Sequence, residues 1–201
     1  SFQQAIEFAW SNGAVCVAAA GNTGSEQTLY PAGYCHVLAV SATNCADNLA
    51  FFSSWGIPVG VAAPGVDILS TTPTYAVPNW KTGYDAMSGT SYSSPFVSGV
   101  AALLLAVNPV LTNAEVVQMI EKSARPIPNG LLESCREDEA GGAHEEDIAA
   151  CGGESPDGTM LQGMSYDVKE WSPYFGYGIL DADRAVRMAL QSRIHEDGVG
   201  S

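Results

Sequence analysis

Two hydrophobic patterns alternate along the first part of the chain. Apolar residues recur at helical spacing at Phe2, Ile6 and Trp10, and Gly13 follows them. This spacing predicts an amphipathic helix that ends at the glycine. The next run, residues 14–20, is apolar throughout and is followed by Gly-Asn. A short apolar run bounded in this way is typical of a strand buried on both faces of a parallel sheet.

Three later segments have the pattern of helices. A long run of small and apolar residues follows Ser91 and extends to about residue 107. Thr112 and Glu115 form a capping box at the start of a helix that is predicted to end near residue 123. Asp181 is predicted to cap a last helix that ends near residue 192. A chain of 201 residues is long enough to build one core from these elements.

Ser91 is the first candidate for chemistry, because it follows Gly89-Thr90 and stands at the start of the long apolar helix. The start of a helix presents unpaired N–H groups and a positive dipole end, which favour a developing negative charge. The N–H of Ser91 can itself donate to an oxyanion. Pro95 is expected in the first turn, where proline costs no intrahelical bond. The simpler interpretation is that Ser91 only caps the helix.

Asn22 is the second candidate, because it follows the buried strand at its carboxyl end. Chemistry in open α/β sheets collects at the carboxyl ends of strands. An asparagine amide donates hydrogen bonds without carrying a charge, so it can stabilise an oxyanion without disturbing a nearby base. The simpler interpretation is an ordinary turn residue, which is the common role of Gly-Asn.

Both candidates lie in motifs that resemble those of subtilisin-like proteases. Residues 89–99 have the pattern Gly-Thr-Ser-x-x-x-Pro-x-Val-x-Gly, which resembles the serine-nucleophile motif of that family. Ala-Ala-Ala-Gly-Asn at residues 18–22 resembles its oxyanion strand. Segments 30–43, 51–56, 61–71 and 174–182 resemble further stretches of the family in the same order.

The resemblance implies an α/β fold of the subtilisin type, with three layers and a mainly parallel sheet flanked by helices. It implies a serine endopeptidase in which Ser91 is the nucleophile and Asn22, with the Ser91 N–H, binds the oxyanion. The backbones of Ala19 and Gly21 would form part of the wall of the primary substrate pocket. The implied substrate is a protein or peptide, and the implied location is secreted or extracytoplasmic.

The aspartate and histidine of the family's catalytic triad have no match in this chain. Both family motifs precede the oxyanion asparagine, whereas the 21 residues before Asn22 contain neither Asp nor His. The three histidines are His36, which is expected to be structural, His144 and His195. The chain also opens at Ser1 within a helical pattern, for which we expect no cap. These observations predict the C-terminal half of a catalytic domain, with the N-terminal half, including Asp and His, absent. This half alone is expected to be almost inactive.

Acidic residues dominate the charge of the chain. The net charge is −14, from 22 acidic and 8 basic residues, which argues against nucleic-acid binding. Nine acidic residues lie between Glu133 and Asp157, among glycine pairs. We therefore interpret residues 1–201 as one partial peptidase domain with an acidic inserted loop at about 129–171 and a frayed tail at about 193–201. No run of 18 apolar residues occurs, so no membrane span is expected.

Metal ions and cofactors are not expected to take part in catalysis. The acidic loop lacks the spacing of an EF-hand, so a solvated loop is the preferred interpretation. Subtilisin relatives often bind structural calcium, and the loop at Ala32, Tyr34 and Val37 resembles one weak site made of backbone carbonyls. A structural calcium ion is therefore an open hypothesis.

Five cysteines without a Cys-x-x-Cys pair argue against a zinc ribbon. Cys135 with Cys151 could staple the acidic loop, and Cys35 with Cys45 could close a short one. Both pairings suit an exported protein. Cys16 lies in the strand pattern and is predicted to be a packed free thiol.

Three different functions stay open to test. A sedolisin-like acid peptidase shares Ser-Gly-Thr-Ser but would place an aspartate where Asn22 stands. An α/β-hydrolase esterase needs Gly-x-Ser-x-Gly, and residue 93 is serine, so that motif fails. The third is a non-catalytic binding module derived from a subtilisin.

Overall fold

The computed structural model describes residues 1–78, 80–127 and 171–198, with the backbone alone for residues 195–198. In this part of the chain one helix precedes five successive strands, and three helices follow them. The helices are α1 (Phe2–Ser11), α2 (Thr90–Val107), α3 (Asn113–Ser123) and α4 (Ala182–Gly198). The strands are β1 (Cys16–Ala19), β2 (Val37–Thr43), β3 (Val59–Pro64), β4 (Ile68–Thr71) and β5 (Tyr84–Met87).

A parallel sheet in the order β1-β2-β3 carries the fold, and β4 and β5 form a separate antiparallel hairpin. In the sheet, Ala18 stands opposite Ala39, and Ser41 stands opposite Ala62. The strands are rich in valine and alanine, as expected of parallel strands covered on both faces. The predicted α/β fold with a parallel sheet and flanking helices is confirmed for the described residues.

The core lies mainly between the sheet and helices α2, α3 and α4. Val40, Val61 and Leu104 are fully buried there together with Val116 and Ile120. The opposite face of the sheet is covered by residues 171–180, where Phe175 and Ile179 pack against Ala62. Gly176 and Ile179 of this segment form β-bridges with Val61 and Ala62 of β3. The chain therefore contacts the sheet again after the residues that lie outside the described ranges.

Helix α2 is the central helix of this core. By length and composition it could cross a membrane, and it is the one such helix in the described part of the chain. Core helices of globular domains pass the same test, and α2 packs against the parallel sheet, α3 and α4. The sequence expectation of no such segment rested on unbroken apolar runs, and α2 contains serines and a threonine.

Helix ends match the sequence predictions at α3 and differ at α1 and α4. Thr112 accepts from the N–H of Glu115 and completes the predicted capping box. The expectation that the first helix has no cap is wrong, because Ser1 and Gln4 also form a capping box. Helix α4 continues to Gly198, so residues 193–198 are helical and not a frayed tail. The acidic loop falls almost entirely on residues 128–170, outside the described residues.

The cysteines differ in part from the prediction. Cys16 is a half-buried free thiol, as predicted. Cys35 is in a disulfide, whereas Cys45 is a free and exposed thiol. The predicted pairing of Cys35 with Cys45 is therefore wrong. The predicted pairing of Cys135 with Cys151 lies outside the described residues.

Candidate active site

A tight turn between β5 and α2 presents Ser91. Two hydrogen bonds fix the turn to the loop after β3: the Gly89 N–H donates to the Gly65 carbonyl at 2.8 Å, and the Asp67 N–H donates to Ser88 Oγ at 2.9 Å. The loop can approach this closely because residue 65 is glycine. A Cβ there would stand 2.3 Å from Ser93 Oγ.

Ser91 is the second residue of α2 and does not cap the helix. The N-cap is Gly89, which has no side chain to offer, so the capping interpretation is wrong. Pro95 is the sixth residue of the helix, so the expectation that it lies in the first turn is also wrong. Because proline has no N–H, the Ser91 carbonyl lacks its usual helical partner four residues on. The Ser91 side chain is exposed, and no described residue bonds its hydroxyl.

Asn22 is hydrogen-bonded to Thr90, the residue directly before Ser91. Its Oδ1 accepts from the N–H and from Oγ1 of Thr90, both at 2.9 Å. Since both donors bind the oxygen, the amide orientation is set and Nδ2 is left to donate elsewhere. Nδ2 lies 3.5 Å from the point where a Cβ on Gly89 would stand, beside the nucleophile turn.

Thr90 is the residue that sequence reasoning missed. It is fully buried, and its Oγ1 accepts from the Gly21 N–H at 3.1 Å while donating to Asn22. One side chain therefore ties the end of β1 to the start of α2. Its place between Gly89 and Ser91 was visible in the sequence, but nothing there indicated a partner almost seventy residues away.

Gly21 and Ala19, the predicted pocket wall, lie at the end of β1. Both polar backbone groups of Gly21 are bonded inside the fold, the N–H to Thr90 Oγ1 and the carbonyl to the Ser54 N–H at 2.9 Å. A Cβ on Gly21 would stand 2.2 Å from Leu29 Cδ1. Gly21 can thus offer a surface but has no spare N–H. Ala19 is half-buried in β1, opposite Val40.

Ser54 braces the loop that carries Asn22. Its Oγ accepts from the Thr23 N–H at 3.1 Å and lies 2.8 Å from Thr23 Oγ1. The Gly24 N–H also donates to the Phe52 carbonyl at 2.8 Å. The loop after β1 is therefore held on one side by Thr90 and on the other by residues 52–54. These contacts fix the position of the Asn22 backbone.

No candidate base lies beside Ser91 within the described residues. His36 packs against α1, where its ring stacks on Trp10 with centroids 4.8 Å apart. Burial lowers the pKa of His36, against a smaller opposing effect of Glu7. This is the structural role predicted for it. The side chains of His144 and His195 fall outside the described ones.

Groups of three or more His, Cys, Asp or Glu side chains that could hold a metal ion do not occur in the described part of the chain. The possible weak calcium site at Ala32, Tyr34 and Val37 would use backbone carbonyls and not side chains. There, the Tyr34 carbonyl accepts a long bond of 3.3 Å from the Val37 N–H. Since a carbonyl has two lone pairs, this bond leaves Tyr34 one acceptor position for a cation.

Comparison with known proteins decides the family. The model of the subtilase family matches residues 1–178 of the chain. The chain belongs to the subtilase family. Its subtilase relatives include the thermophilic serine proteinase of Bacillus sp. (strain AK1), 46% identical over 129 residues, which are 63% of this chain and 29% of that protein. Thermitase of Thermoactinomyces vulgaris is 48% identical over 102 residues, 51% of this chain and 34% of thermitase.

Solved structures give the same answer for the fold. The prenylagaramide maturation protease PagA superposes with a TM-score of 0.62 at 29% identity, covering 92% of this chain and 54% of that one. The subtilisin-like fold class is therefore confirmed. This chain spans about a third of the length of these two relatives and about half of the PagA chain.

Proposed function

We propose that this chain supplies the nucleophile and the oxyanion-binding group of a serine endopeptidase. In this mechanism Ser91 Oγ attacks the carbonyl carbon of a peptide bond, and its proton passes to a base. The carbonyl oxygen becomes an oxyanion that accepts from Asn22 Nδ2 and from the Ser91 N–H. The oxyanion then collapses, the amine leaves with a proton, and an acyl-enzyme on Ser91 is hydrolysed by water.

The pair of bonds from Thr90 to Asn22 Oδ1 carries this proposal. They direct the amide Nδ2 toward the turn that presents Ser91, and they do so without help from any ligand. A donor oriented before substrate arrives stabilises the transition state at no cost of reorganisation. The absence of a side-chain cap on α2 further supports a free Ser91 hydroxyl.

The base and its orienting carboxylate would come from outside this chain. A serine hydroxyl is a weak nucleophile at neutral pH without an adjacent base. We therefore propose that the complete protein supplies the family's His and Asp, and that these 201 residues alone have almost no activity. The substrate class in this proposal is protein or peptide.

Labelling with a fluorophosphonate tests the proposal directly. The complete native protein should be labelled at Ser91, and Ser91→Ala should abolish the label. The matched control is Ser98→Ala, an exposed serine two turns further along α2, which should keep it. A folded native protein that is not labelled would instead support the non-catalytic binding module.

A sedolisin-like acid peptidase has less support than a subtilisin-like enzyme. It would need an acid at position 22, whereas the residue there is an asparagine whose oxygen accepts two bonds. In a sedolisin-like enzyme, Asn22→Asp should improve activity at acidic pH, whereas the proposed function expects a loss. Peptidase assays of the complete protein at acidic and neutral pH distinguish the two.

Location and calcium are secondary proposals. The disulfide at Cys35 supports an extracytoplasmic location, because disulfides persist in oxidising compartments. A structural calcium ion on the carbonyls of Ala32, Tyr34 and Val37 should raise the melting temperature of the complete protein. Melting temperatures measured at increasing Ca²⁺ concentration, and with a chelator in place of Ca²⁺, test this effect.

A further inference from the structure

A hydrogen bond spans the turn that presents Ser91. The hydroxyl of Tyr92 donates to Sδ of Met87. Met87 is the last residue of β5 and Tyr92 is the third residue of α2, so the bond closes the turn into a ring. Both side chains are half-buried. We call this pair the Met87–Tyr92 clamp.

The other hydrogen bonds of the turn connect it to the loop after β3 and to Asn22. Gly89 and Ser88 are tied to the loop after β3, and Thr90 is tied to Asn22. Within the described residues, none of these bonds reaches the side chain of Ser91. The clamp ties Tyr92, the residue directly after Ser91, back to the last residue of β5.

The ring of Tyr92 also borders the proposed oxyanion site. A Cβ placed on Gly89 would stand 3.5 Å from Cδ2 of Tyr92 and 3.5 Å from Nδ2 of Asn22. The ring and the amide thus flank the same glycine. A rotation of the Tyr92 ring would change the space beside Nδ2 and would shift the backbone that directs the Ser91 hydroxyl.

We propose that Tyr92, held by Met87, is a positioning residue for Ser91. The inference rests on the proposed function of Ser91 as nucleophile. Tyr92 has no part in proton transfer; it acts through the turn, by keeping the Ser91 hydroxyl aimed at the carbonyl that Asn22 binds. Because small misplacements of a nucleophile cost rate more than they cost binding, the effect falls on kcat rather than on KM.

The test uses the complete protein with its base present. Tyr92→Phe removes the hydroxyl alone, and Met87→Leu removes the sulfur while keeping the volume similar. Each should lower kcat on a peptide substrate, and the rate of fluorophosphonate labelling, by about three- to tenfold, with KM changed less than about twofold. The double variant should be no worse than the more affected single variant, because both remove one interaction.

Two matched controls separate the clamp from a general loss of side chains. Tyr84→Phe changes an exposed tyrosine of the same strand, and Met188→Leu changes a half-buried methionine of α4. Both should leave kcat and labelling at the wild-type level. Melting curves of all variants show whether the fold is retained.

Each outcome gives a decision. If the wild type is labelled, and Tyr92→Phe and Met87→Leu have the kcat and labelling rate of the wild type, the clamp is overturned and the proposed function stands. A lower melting temperature with unchanged kcat assigns the pair a purely structural role, which also overturns it. A folded wild type that is never labelled overturns the proposed function, and the clamp with it. Additive losses in the double variant show that the two residues act separately and contradict the clamp.

Discussion

Thr90 donates two hydrogen bonds to one atom of Asn22, from its N–H and from its hydroxyl, each 2.9 Å long. The two residues are far apart in sequence and belong to different elements. Their contact joins the carboxyl end of β1 to the amino end of α2, and the proposed oxyanion donor and nucleophile stand on either side of it. The arrangement makes the geometry of the site a property of the fold and not of a flexible loop.

Thr90→Val should lower kcat by about tenfold, because it removes one of the two donors that orient Asn22 and leaves the Gly21 N–H without its acceptor. Thr90→Ser keeps the hydroxyl and should retain most of the activity. Steady-state kinetics of the complete protein measure both. Thr74→Val, at an exposed position in the β4–β5 hairpin, is the control. Equal activity of Thr90→Val and wild type would show that Asn22 is oriented without the hydroxyl.

Asn22→Ala should lower kcat by about 10²–10³-fold with a smaller effect on KM, a magnitude taken from subtilisin itself and not obtained from this structure. In the proposed mechanism Nδ2 donates to the oxyanion, which exists in the transition state and not in the bound substrate. Asn12→Ala changes an exposed asparagine at the end of α1 and serves as the control. A change confined to KM would assign Asn22 to substrate binding.

Glu121 should make the protein less stable as the pH rises. Burial raises the pKa of this carboxyl from 4.5 to about 7, and its Oε1 lies 3.3 Å from the point where a Cβ on Gly60 would stand. A carboxyl whose pKa is higher in the folded state stabilises the fold fully below pH 4.5 and loses that contribution as the pH rises toward 7. The difference is about 3 kcal/mol in the free energy of unfolding.

Glu121→Gln should abolish that loss, since a neutral amide does not ionise. Urea denaturation of the complete protein at about pH 4.5 and about pH 8 measures the two free energies. The variant should gain stability over wild type at the higher pH and not at the lower one. Glu26→Gln, at an exposed position, is the control. A parallel pH dependence in wild type and Glu121→Gln would mean that this carboxyl ionises as freely in the folded state as in the unfolded chain.

Two buried serines should respond oppositely to alanine. Ser93 Oγ is buried without a hydrogen-bond partner among the described residues, so Ser93→Ala should raise the free energy of unfolding by about 1 kcal/mol. Ser53 Oγ accepts from the Ala42 N–H at 3.0 Å and donates to the Ser54 carbonyl. Ser53→Ala should therefore lower that free energy by about 1–3 kcal/mol. Chemical denaturation of both variants checks the contrast, and a loss at Ser93 would indicate a partner for its hydroxyl.

The sequence pattern predicts β1 and the helices of the described residues, because the hydrophobic positions of each element recur at a spacing that is visible within its own segment. The cap at Ser1 follows a local signal, because Ser-x-x-Gln in the sequence is the pattern of a capping box. The position of Pro95 within α2 does not follow from residue type alone, because the helix begins at Thr90 and helix starts are also set by contacts.

Contacts between distant segments could not be predicted in the same way. The bond from Thr90 to Asn22 and the brace of Ser54 on Thr23 depend on the packing of separate strands and loops. The disulfide partner of Cys35 likewise depends on the folded chain. The short sequence separation between Cys35 and Cys45 favours a pairing that does not form, because Cys45 is a free thiol. The Met87–Tyr92 clamp spans five residues, but its geometry follows from the turn between them and not from either residue type.

Strand β1 has a practical consequence for anyone who handles these residues by themselves. Within the described part of the chain it pairs with β2 along one edge, and its other edge carries unpaired backbone groups. Exposed edges of this kind recruit strands from neighbouring molecules. Expression of the isolated polypeptide should therefore yield self-associated material, and co-production with the N-terminal half that we propose for the complete protein should yield dispersed protein.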